Sequence, residues 1–397
     1  MSPGQQRNNQ YQQAPPQFFQ QQQQQQQQQG YNRPQAPIPA QQMTQQELEQ
    51  CAQTQSLYRI EDDGSADQKV QEAEHVQAPT TAPQSFGVQG YEYKYSNCTG
   101  RRKALLIGIN YIGTKAQLKG CINDVNNVKQ FLVQHGYAEG DIVVLTDDQT
   151  QMVKVPMRAN IIKAIGWLVN GAQPNDSLFF HYSGHGSQVP DQDGDEEDGI
   201  DETIVPLDYE TSGQIIDDEL HARLVQPLPA GVRLTALFDS CHSGSVLDLP
   251  YTYSTKGVLK EPNLAKEVGE GLLQAAKSYI INDQTNMLKG LKALGEMVMK
   301  GGPNEDAYEK TKRTKTAPAD VVMFSGSKDD QTSADANEGG VPTGAMSFAF
   351  IKVMNKAPQQ TYLSLLQNMR EIMVDKYTQK PQFSASHPID VNLQFIF

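Results

Sequence analysis

Short apolar runs that alternate with helix-type patterns between residues 104 and 238 limit the possible folds of this chain more than any other feature. Runs at 104–109, 178–182 and 234–238 have the length and composition of buried strands. Segments 124–134 and 157–169, between the first two runs, carry apolar residues at helical spacing. Parallel strands need such crossover helices. The order therefore predicts an α/β fold, a mostly parallel twisted sheet flanked by helices on both faces.

The pattern continues on both sides of a long Lys-rich interruption with weak helical character around 263–300. The other predicted elements are a strand at 141–147, a short helix at 218–225, a strand at 321–326, helices at 345–355 and 362–377, and a strand near 382–387. We expect three regions in the patterned chain: a large part at 91–250, a basic linker or inserted element at 251–317, and a small part at 318–397 that completes the same sheet.

The first 90 residues differ in composition from the rest. They are rich in Gln and Pro, with an unbroken Gln run at 20–29. Such a segment buries too little apolar surface to offset the ordering of the chain, so we expect disorder. It is either an inert solvated tail or a segment that associates with its own kind, or with aggregates, through Gln, Tyr and Phe side chains.

Composition argues against several classes of protein. No apolar stretch reaches the roughly 20 residues that span a bilayer, and the N-terminus lacks the pattern of a signal peptide. The four cysteines form neither a disulfide framework nor a zinc pattern. The net charge of −13 argues against nucleic acid and anionic membranes as partners. We expect a soluble intracellular protein with reduced thiols, in the cytoplasm or also in the nucleus.

Two of the predicted strands end in the same way. LFFHYSGHG (178–186) leads to His185, and LTALFDSCHSG (234–244) leads to Cys241. Ligands of α/β sheets bind beyond the carboxyl ends of the strands, so neighbouring strands would bring this imidazole and this thiol into one crevice. A nucleophilic thiol needs a nearby base. Gly186 leaves room for a substrate backbone, and the backbone N–H groups at Gly186 and Cys241 are candidates for binding an oxyanion.

Other assignments of these residues are weaker. His242 adjoins Cys241, but neighbouring side chains of an extended strand point to opposite sides. His181 lies within an apolar run, which favours a structural role. An inert buried thiol at Cys241 is disfavoured by its polar neighbours in DSCHSG. A transition-metal site of Cys241, His185 and His242 falls short of a tetrahedral ligand set.

HYSGHGSQ and DSCHSGS resemble the motifs of metacaspases, in the fungal type I form with a Gln/Pro-rich pro-region. GCINDV, DGIDETIVPLDY, IIDDEL and FSGSKDDQTSAD extend the resemblance over residues 91–397. It implies a caspase-like fold and a self-processing, Ca²⁺-dependent cysteine endopeptidase that cleaves after Arg or Lys, with roles in regulated cell death and protein quality control. The 56 positions from His185 to Cys241 suit the wider caspase group, where about 50 are expected.

The residues that would determine substrate specificity are acidic. Cleavage after Asp would require Arg donors in the pocket, whereas cleavage after Arg or Lys requires carboxylates. The caspase signature Q-A-C-x-G is absent, and Asp239 stands where its Gln would be. The resemblance implies that Asp124 and Asp239, assisted by Ser183, line a pocket for a basic P1 side chain. Asp124 also suits a helix N-cap, and both roles stay open.

The run DQDGDEEDGIDE at 191–202 holds eight carboxylates in twelve residues. Such density indicates either a solvated loop or a hard-cation site. An EF-hand is excluded because Glu196 or Asp198 stands where its loop needs Gly. The resemblance implies that Ca²⁺ is bound by the four residues Asp201, Asp217, Asp218 and Asp248. A merely solvated acidic surface is the alternative.

The basic linker is a candidate internal substrate. It contains four residues after which an Arg/Lys-specific enzyme could cut: Lys310, Lys312, Arg313 and Lys315. The resemblance favours self-cleavage here without choosing among them, and the alternative is a solubilising charge run. A second hypothesis for the whole chain is an interaction protein that handles aggregates, in which the Gln-rich tail binds and the peptidase fold is a scaffold.

Overall fold

The computed structural model describes residues 70–86, 92–190, 200–241, 243–257, 259–260, 315–326, 336–338, 341–374, 377 and 380–397. Several predictions fall outside these ranges. They concern residues 1–69, most of the acidic run (191–199), His242, the weakly helical stretch at 263–300, and the candidate cleavage residues Lys310, Lys312 and Arg313.

Strands and helices alternate through the described chain. The strands are β1 (Gln84–Ser85), β2 (Glu92–Tyr93), β3 (Arg102–Gly108), β4 (Ile142–Thr146), β5 (Ser177–Ser183), β6 (Gly186–Pro190), β7 (Ile200–Ile204), β8 (Ile215–Ile216), β9 (Arg233–Asp239), β10 (Tyr251–Tyr253), β11 (Leu259–Lys260), β12 (Asp320–Gly326), β13 (Ala336–Glu338), β14 (Val341–Thr343) and β15 (Pro381–Ala385). The helices are α1 (Cys121–Gln134), α2 (Arg158–Val169), α3 (Tyr209–Ser212), α4 (Asp217–Leu220), α5 (Ala345–Lys356) and α6 (Tyr362–Met373), and a π-helical turn (His221–Val225) follows α4.

The predicted mostly parallel sheet is confirmed. Within the described residues it has eight strands in the order β11-β10-β15-β12-β9-β5-β3-β4. The five strands from β12 to β4 are parallel to one another, and the pairs β12–β15, β15–β10 and β10–β11 are antiparallel. β12 and β15, from the C-terminal part of the chain, lie in the same sheet as β9. Neighbouring β5 and β9 carry the two sequence motifs toward one edge.

Helices cover both faces of the sheet, as the apolar runs predict. Alternate residues of β3 point to opposite faces, because side chains alternate along a strand. Leu106 packs in a core with α1, α5 and α6, while Leu105 and Ile107 pack in a second core with α2 and the π-helical turn. The continuous apolar runs are thus explained by burial on both sides.

Residues 70–86 correct the predicted disordered boundary at residue 90. Val70 is 7% exposed, and the backbone of Gln71 is hydrogen-bonded by the side chains of Asn368 and Gln360. β1 pairs with β2, and Phe86 packs against Tyr93 with ring centroids 4.9 Å apart. The few apolar residues of this segment dock onto the folded part, a tertiary contact that composition does not reveal.

The small sheet β6-β7-β8 is a second difference from the sequence prediction, which placed only an acidic loop there. β6 begins three residues after β5 ends and is short and polar, so it has no hydrophobic periodicity to detect. The predicted helix at 218–225 is a single α-turn followed by the π-helical turn. No helix among the described residues is long and apolar enough to cross a membrane.

Candidate active site

The ends of β5 and β9 meet at one edge of the sheet. Ser183 lies opposite Asp239 in the parallel register, and His185 and Cys241 each follow two residues later. The two segments touch, since a Cβ added to Gly186 would lie 1.9 Å from the carbonyl oxygen of Cys241. Glycine is therefore required at 186 for this approach. Both His185 and Cys241 are half-buried at this edge of the sheet.

The imidazole of His185 has a defined orientation. Its Nε2 lies 2.7 Å from the backbone oxygen of Ala116. A carbonyl oxygen only accepts, so Nε2 carries the proton, and Nδ1 is the acceptor of the neutral ring. A catalytic triad has a third member that orients the base. The structure supplies a carbonyl in that orienting position, which no side-chain motif can reveal.

Two tyrosines fix the backbone around His185. The ring of Tyr111 packs on the imidazole at 4.6 Å between centroids, and its hydroxyl accepts a hydrogen bond from the His185 N–H at 3.1 Å. The hydroxyl of Tyr182 donates to the His185 carbonyl at 2.7 Å. Both side chains are buried, and sequence reasoning assigned neither a role at the site. The motif HYSGHG places Tyr182 near His185 in sequence, so the sequence indicates a role at the site for Tyr182 but not for Tyr111.

Asp124 and Ser183, which the resemblance assigns to a substrate pocket, are buried and in contact. The Ser183 hydroxyl donates to Asp124 Oδ2 at 2.7 Å. Oδ1 accepts from the Thr343 hydroxyl at 2.6 Å and from the Gly344 N–H at 2.8 Å. The alternative N-cap role is wrong, because α1 begins at Cys121 with Gly120 as its cap. The carboxylate points away from the helix into the pocket.

Asp239 completes this pocket from β9. Its Oδ2 accepts a hydrogen bond of 2.8 Å from the N–H of Ser347, in the first turn of α5, where the helix dipole favours negative charge. A Cβ added to Gly344 would lie 2.1 Å from Asp239 Oδ2 and 2.8 Å from Asp124 Oδ2. The two carboxylates therefore flank one glycine, and the structure brings together all three residues predicted for substrate binding.

Burial dominates the electrostatics of the pocket. It raises the pKa of Asp124, and the charge of Asp239 adds to this, to about 7. Burial likewise raises the pKa of Asp239, against the hydrogen bonds from Ser347 and Met346. Two adjacent buried carboxylates favour sharing a proton, because their charges repel each other. A cationic side chain is the natural ligand for such a pair.

His181 lies beneath the pocket in β5. It is fully buried, and its Nε2 lies 2.9 Å from the hydroxyl of Ser347. Burial lowers the pKa of His181 to about 3, so the imidazole is neutral. Cys121 is also buried, 4% exposed at the start of α1.

The predicted calcium ligands lie on β7, α4 and the segment after β9. Asp217, Asp201 and Asp248 are buried, and Asp218 is partly exposed. The Glu202 N–H donates to Asp217 Oδ2 at 2.7 Å, which ties β7 to α4. Burial, and then the charge of Asp248, raise the pKa of Asp217 to about 9.

Lys315 lies among these carboxylates. Its ammonium is hydrogen-bonded to Asp218 and, at 2.9 Å, to Asp248 Oδ2. Its side chain is only 7% exposed. Across the part of the chain that the structure describes, no group of three or more His, Cys, Asp or Glu side chains is arranged to hold a metal ion. The sequence named all five of these residues but did not bring Lys315 to this cluster.

Comparison with known proteins identifies the family. The model of the metacaspase peptidase C14 domain matches residues 102–250. Metacaspase-1 of Candida albicans is 63% identical over 328 residues, which cover 81% of this chain and 73% of that protein. The chain belongs to the metacaspase family.

Further comparisons include a second curated relative and a solved structure. Metacaspase-1 of Saccharomyces cerevisiae is 62% identical over 317 residues, covering 79% of this metacaspase and 73% of the relative. A solved structure of a protein from Geobacter sulfurreducens has a TM-score of 0.46 and 25% identity, covering 75% of this chain and 97% of that one. The family predicted from the two motifs is confirmed, and the chain is a caspase-like cysteine peptidase that acts on protein substrates.

Proposed function

We propose that this metacaspase is an endopeptidase that cleaves after Arg or Lys, with Cys241 as nucleophile and His185 as base. The observation that carries the proposal is the buried carboxylate pair of Asp124 and Asp239, next to the contact between Gly186 and Cys241. A pocket built on two carboxylates selects a positively charged P1 side chain.

The chemistry follows from the orientation of His185. Nδ1 takes the thiol proton of Cys241, and the thiolate sulfur attacks the carbonyl carbon of the scissile peptide. Backbone N–H groups at Cys241 and Gly186 are the proposed donors to the oxyanion. The imidazolium then protonates the leaving amine, which breaks the C–N bond and leaves a thioester. Water, deprotonated by His185, hydrolyses that thioester and restores the thiol.

The Ala116 carbonyl and the two tyrosines support this cycle. The carbonyl accepts a hydrogen bond from the Nε2–H group throughout, so it holds the ring in one tautomer and stabilises the imidazolium form. Tyr111 and Tyr182 fix the backbone on either side of the ring. A Cys-His pair held by a backbone carbonyl is thus sufficient for general acid–base catalysis.

Calcium dependence is a separate part of the proposal. Asp201, Asp217, Asp218 and Asp248 offer carboxylate oxygens, the donor type that a hard cation prefers, and we propose that they converge when Ca²⁺ binds. Their position after β9 and beside β6 and β7 would let a bound Ca²⁺ order the segments that flank Cys241. The raised pKa of Asp217 supports a cation site, since a buried carboxylate next to another acid favours a positive ligand.

Self-processing within the basic linker also belongs to the proposal, since the linker offers Lys and Arg residues to an enzyme of this specificity. Roles in regulated cell death and protein quality control, and a location in the cytoplasm or nucleus, are supported by the family relationship alone.

Matched fluorogenic peptides ending in Arg, Lys or Asp test the function, each with Ca²⁺ and with a chelator. We expect cleavage after Arg and Lys, activation by Ca²⁺, and loss of cleavage in Cys241→Ala. Preference for Asp would contradict the pocket assignment, and equal rates with the chelator would contradict the calcium requirement. Full activity of Cys241→Ala would rule out this site.

The interaction hypothesis is tested with the same chain. Deletion of residues 1–69 removes the Gln-rich segment but keeps the docked residues 70–86. If the tail binds aggregates, the deletion abolishes association and leaves peptide cleavage unchanged, whereas Cys241→Ala does the reverse.

A further inference from the structure

We propose that Ser347, held by His181, is a positioning residue that fixes Asp239 for binding a basic P1 side chain. This inference rests on the proposed specificity for Arg and Lys. Ser347 contacts Asp239 twice, through its N–H at 2.8 Å and through its hydroxyl. His181 Nε2 lies 2.9 Å from the same hydroxyl. All three side chains are buried.

The direction of these hydrogen bonds follows from which atoms can donate and which can only accept. In the ionised form that binds a cation, Asp239 only accepts, so the Ser347 hydroxyl donates its hydrogen bond to Asp239. The hydroxyl oxygen then accepts from His181, which is neutral and carries its proton on Nε2. Two donors from one serine thus favour the ionised Asp239 and hold it in a single orientation. Asp124 is held separately by Ser183, Thr343 and Gly344.

Peptides that end in Arg or in its neutral isostere citrulline separate positioning from folding. In Ser347→Ala we expect KM for the Arg peptide to rise about tenfold, the effect of one hydrogen bond to a charged group, with kcat nearly unchanged. The citrulline peptide should be almost unaffected, and Ser347→Thr should restore the Arg preference. Thr235→Val is the matched control, because Thr235 is buried on β9 and its hydroxyl has no partner among the described residues.

Any other result contradicts either the role of Ser347 or the proposed specificity. Unchanged discrimination between Arg and citrulline in Ser347→Ala overturns the role of Ser347. An equal loss for both peptides, with a lower melting temperature, shows a merely structural role and also overturns it. A wild-type enzyme that does not discriminate between the two peptides overturns the proposed specificity itself.

A different observation carries a second inference: we infer that Lys315 is an internal cation that competes with Ca²⁺ for Asp218 and Asp248. This rests on the proposed calcium site. Its ammonium is bonded to both carboxylates and is almost fully buried. A buried amine among carboxylates neutralises their repulsion, as a metal ion would. An ammonium and a Ca²⁺ ion on the same two carboxylates would repel each other at short range, so Ca²⁺ binding favours displacement of Lys315.

Displacement would also decide when Lys315 is a substrate. While its side chain is held in the acidic cluster, it cannot enter the pocket of Asp124 and Asp239. Calcium binding releases it, so the structure predicts that the metal binds before the chain is cut after residue 315. Calcium would thereby expose a processing site besides ordering the segments near Cys241.

The first test uses Cys241→Ala protein, which cannot cut itself, and isothermal titration with Ca²⁺. Adding Lys315→Met should raise the calcium affinity at least about tenfold, the effect of losing one competing ion pair, and lower the melting temperature without metal. Lys315→Arg should stay close to wild type, and the exposed Lys256→Met is the control. Equal affinity in Lys315→Met and its parent overturns the inference, while no calcium binding in any variant overturns the calcium site.

The second test needs no substitution at 315. Amine acetylation of Cys241→Ala protein, followed by peptide mass spectrometry, measures how accessible the Lys315 amine is. Labelling should be slow in chelator and rise several-fold with saturating Ca²⁺, whereas labelling of Lys256 should not change. Equal labelling of Lys315 in the two conditions contradicts displacement.

Discussion

Two glycines determine how closely the residues of this site approach one another. Gly186 lets β6 start against the carbonyl of Cys241, and Gly344 lets two carboxylates close on the same backbone position. At both positions a methyl group would overlap atoms that cannot move without opening the site. The close approach of the site residues therefore depends on two glycines, which have no side chains themselves.

Gly344→Ala tests this at the pocket. Because the added Cβ would lie 2.1 Å from Asp239 Oδ2, we expect about 1–3 kcal/mol lower stability and at least about tenfold lower kcat/KM for an Arg peptide. Urea denaturation and peptide kinetics measure the two effects. Gly166→Ala is the control, since nothing lies within 4 Å of a methyl group added at this position in α2, and it should gain about 0.5–1 kcal/mol. Wild-type kinetics in Gly344→Ala would show that the pocket opens freely.

The pH dependence of specificity follows from the same pocket. Asp124, with a pKa raised to about 7 chiefly by burial, is protonated below that pH and cannot pair with a cation. The ratio of kcat/KM for an Arg peptide to that for a citrulline peptide should therefore fall as the pH drops from about 8 to about 6. Using the ratio cancels titrations that affect both peptides equally, and a constant ratio would contradict the assignment.

At the scale of elements, β9 and β12 are joined at their starts by a buried ion pair. Arg233 donates to Asp320 Oδ2 at 2.6 Å, and both side chains are fully buried. Although burial alone would raise it, the Arg233 guanidinium and His387 hold the pKa of Asp320 below its usual value. The guanidinium also donates to the Ile396 carbonyl at 3.1 Å, which ties the C-terminus to the sheet.

Asp320→Ala should lower the free energy of unfolding by about 3–5 kcal/mol, because it leaves a buried guanidinium unpaired. Urea denaturation measures this. Asp141→Ala is the control, since its exposed pair with Arg101 contributes about 0–1 kcal/mol. The lowered pKa means that the stabilisation by Asp320 is present above its unfolded pKa of about 3.9 and is lost as the pH falls through the folded value. A small loss in Asp320→Ala would contradict the structural role.

At the scale of the whole molecule, the site is completed by parts distant in sequence. Asp124 follows the first strand of the main sheet, Asp239 ends a central strand, and Gly344 and Ser347 begin a helix of the C-terminal part. The docked segment 70–86 packs on α6 and the C-terminus, through Asn368 and the Gln394 backbone. The segment from residue 70 onward is thus part of the folded peptidase.

Two truncations test this boundary. A chain that begins at Val70 should keep the melting temperature of the full protein. A chain that begins at Tyr91 should melt lower, by at least about 2 °C for each kcal/mol lost, because it lacks the contacts of Gln71 and Phe86. Differential scanning calorimetry compares them in the Cys241→Ala background. Equal melting temperatures would show that the docked segment adds nothing to stability.

The sequence by itself determined the α/β fold, and it placed His185 and Cys241 just beyond the ends of two strands, with Asp239 near Cys241. These properties depend on local sequence. Apolar runs form strands, and a reactive side chain that follows a strand lies at the edge of the sheet however the other elements pack. The family motifs added Asp124 and Ser183, which the structure places within 2.7 Å of each other.

Only the tertiary structure decided what holds these groups. The contacts come from the Ala116 carbonyl, the Tyr111 hydroxyl, the Ser347 N–H and the Lys315 ammonium, and they join pairs 67 to 108 positions apart in sequence. A backbone carbonyl has no signature in composition or periodicity. A lysine in a polar segment is expected to be exposed to solvent, and only the fold shows that it is buried. Orientation and charge pairing depend on distances between elements, and these are set when the sheet and its two layers of helices pack together.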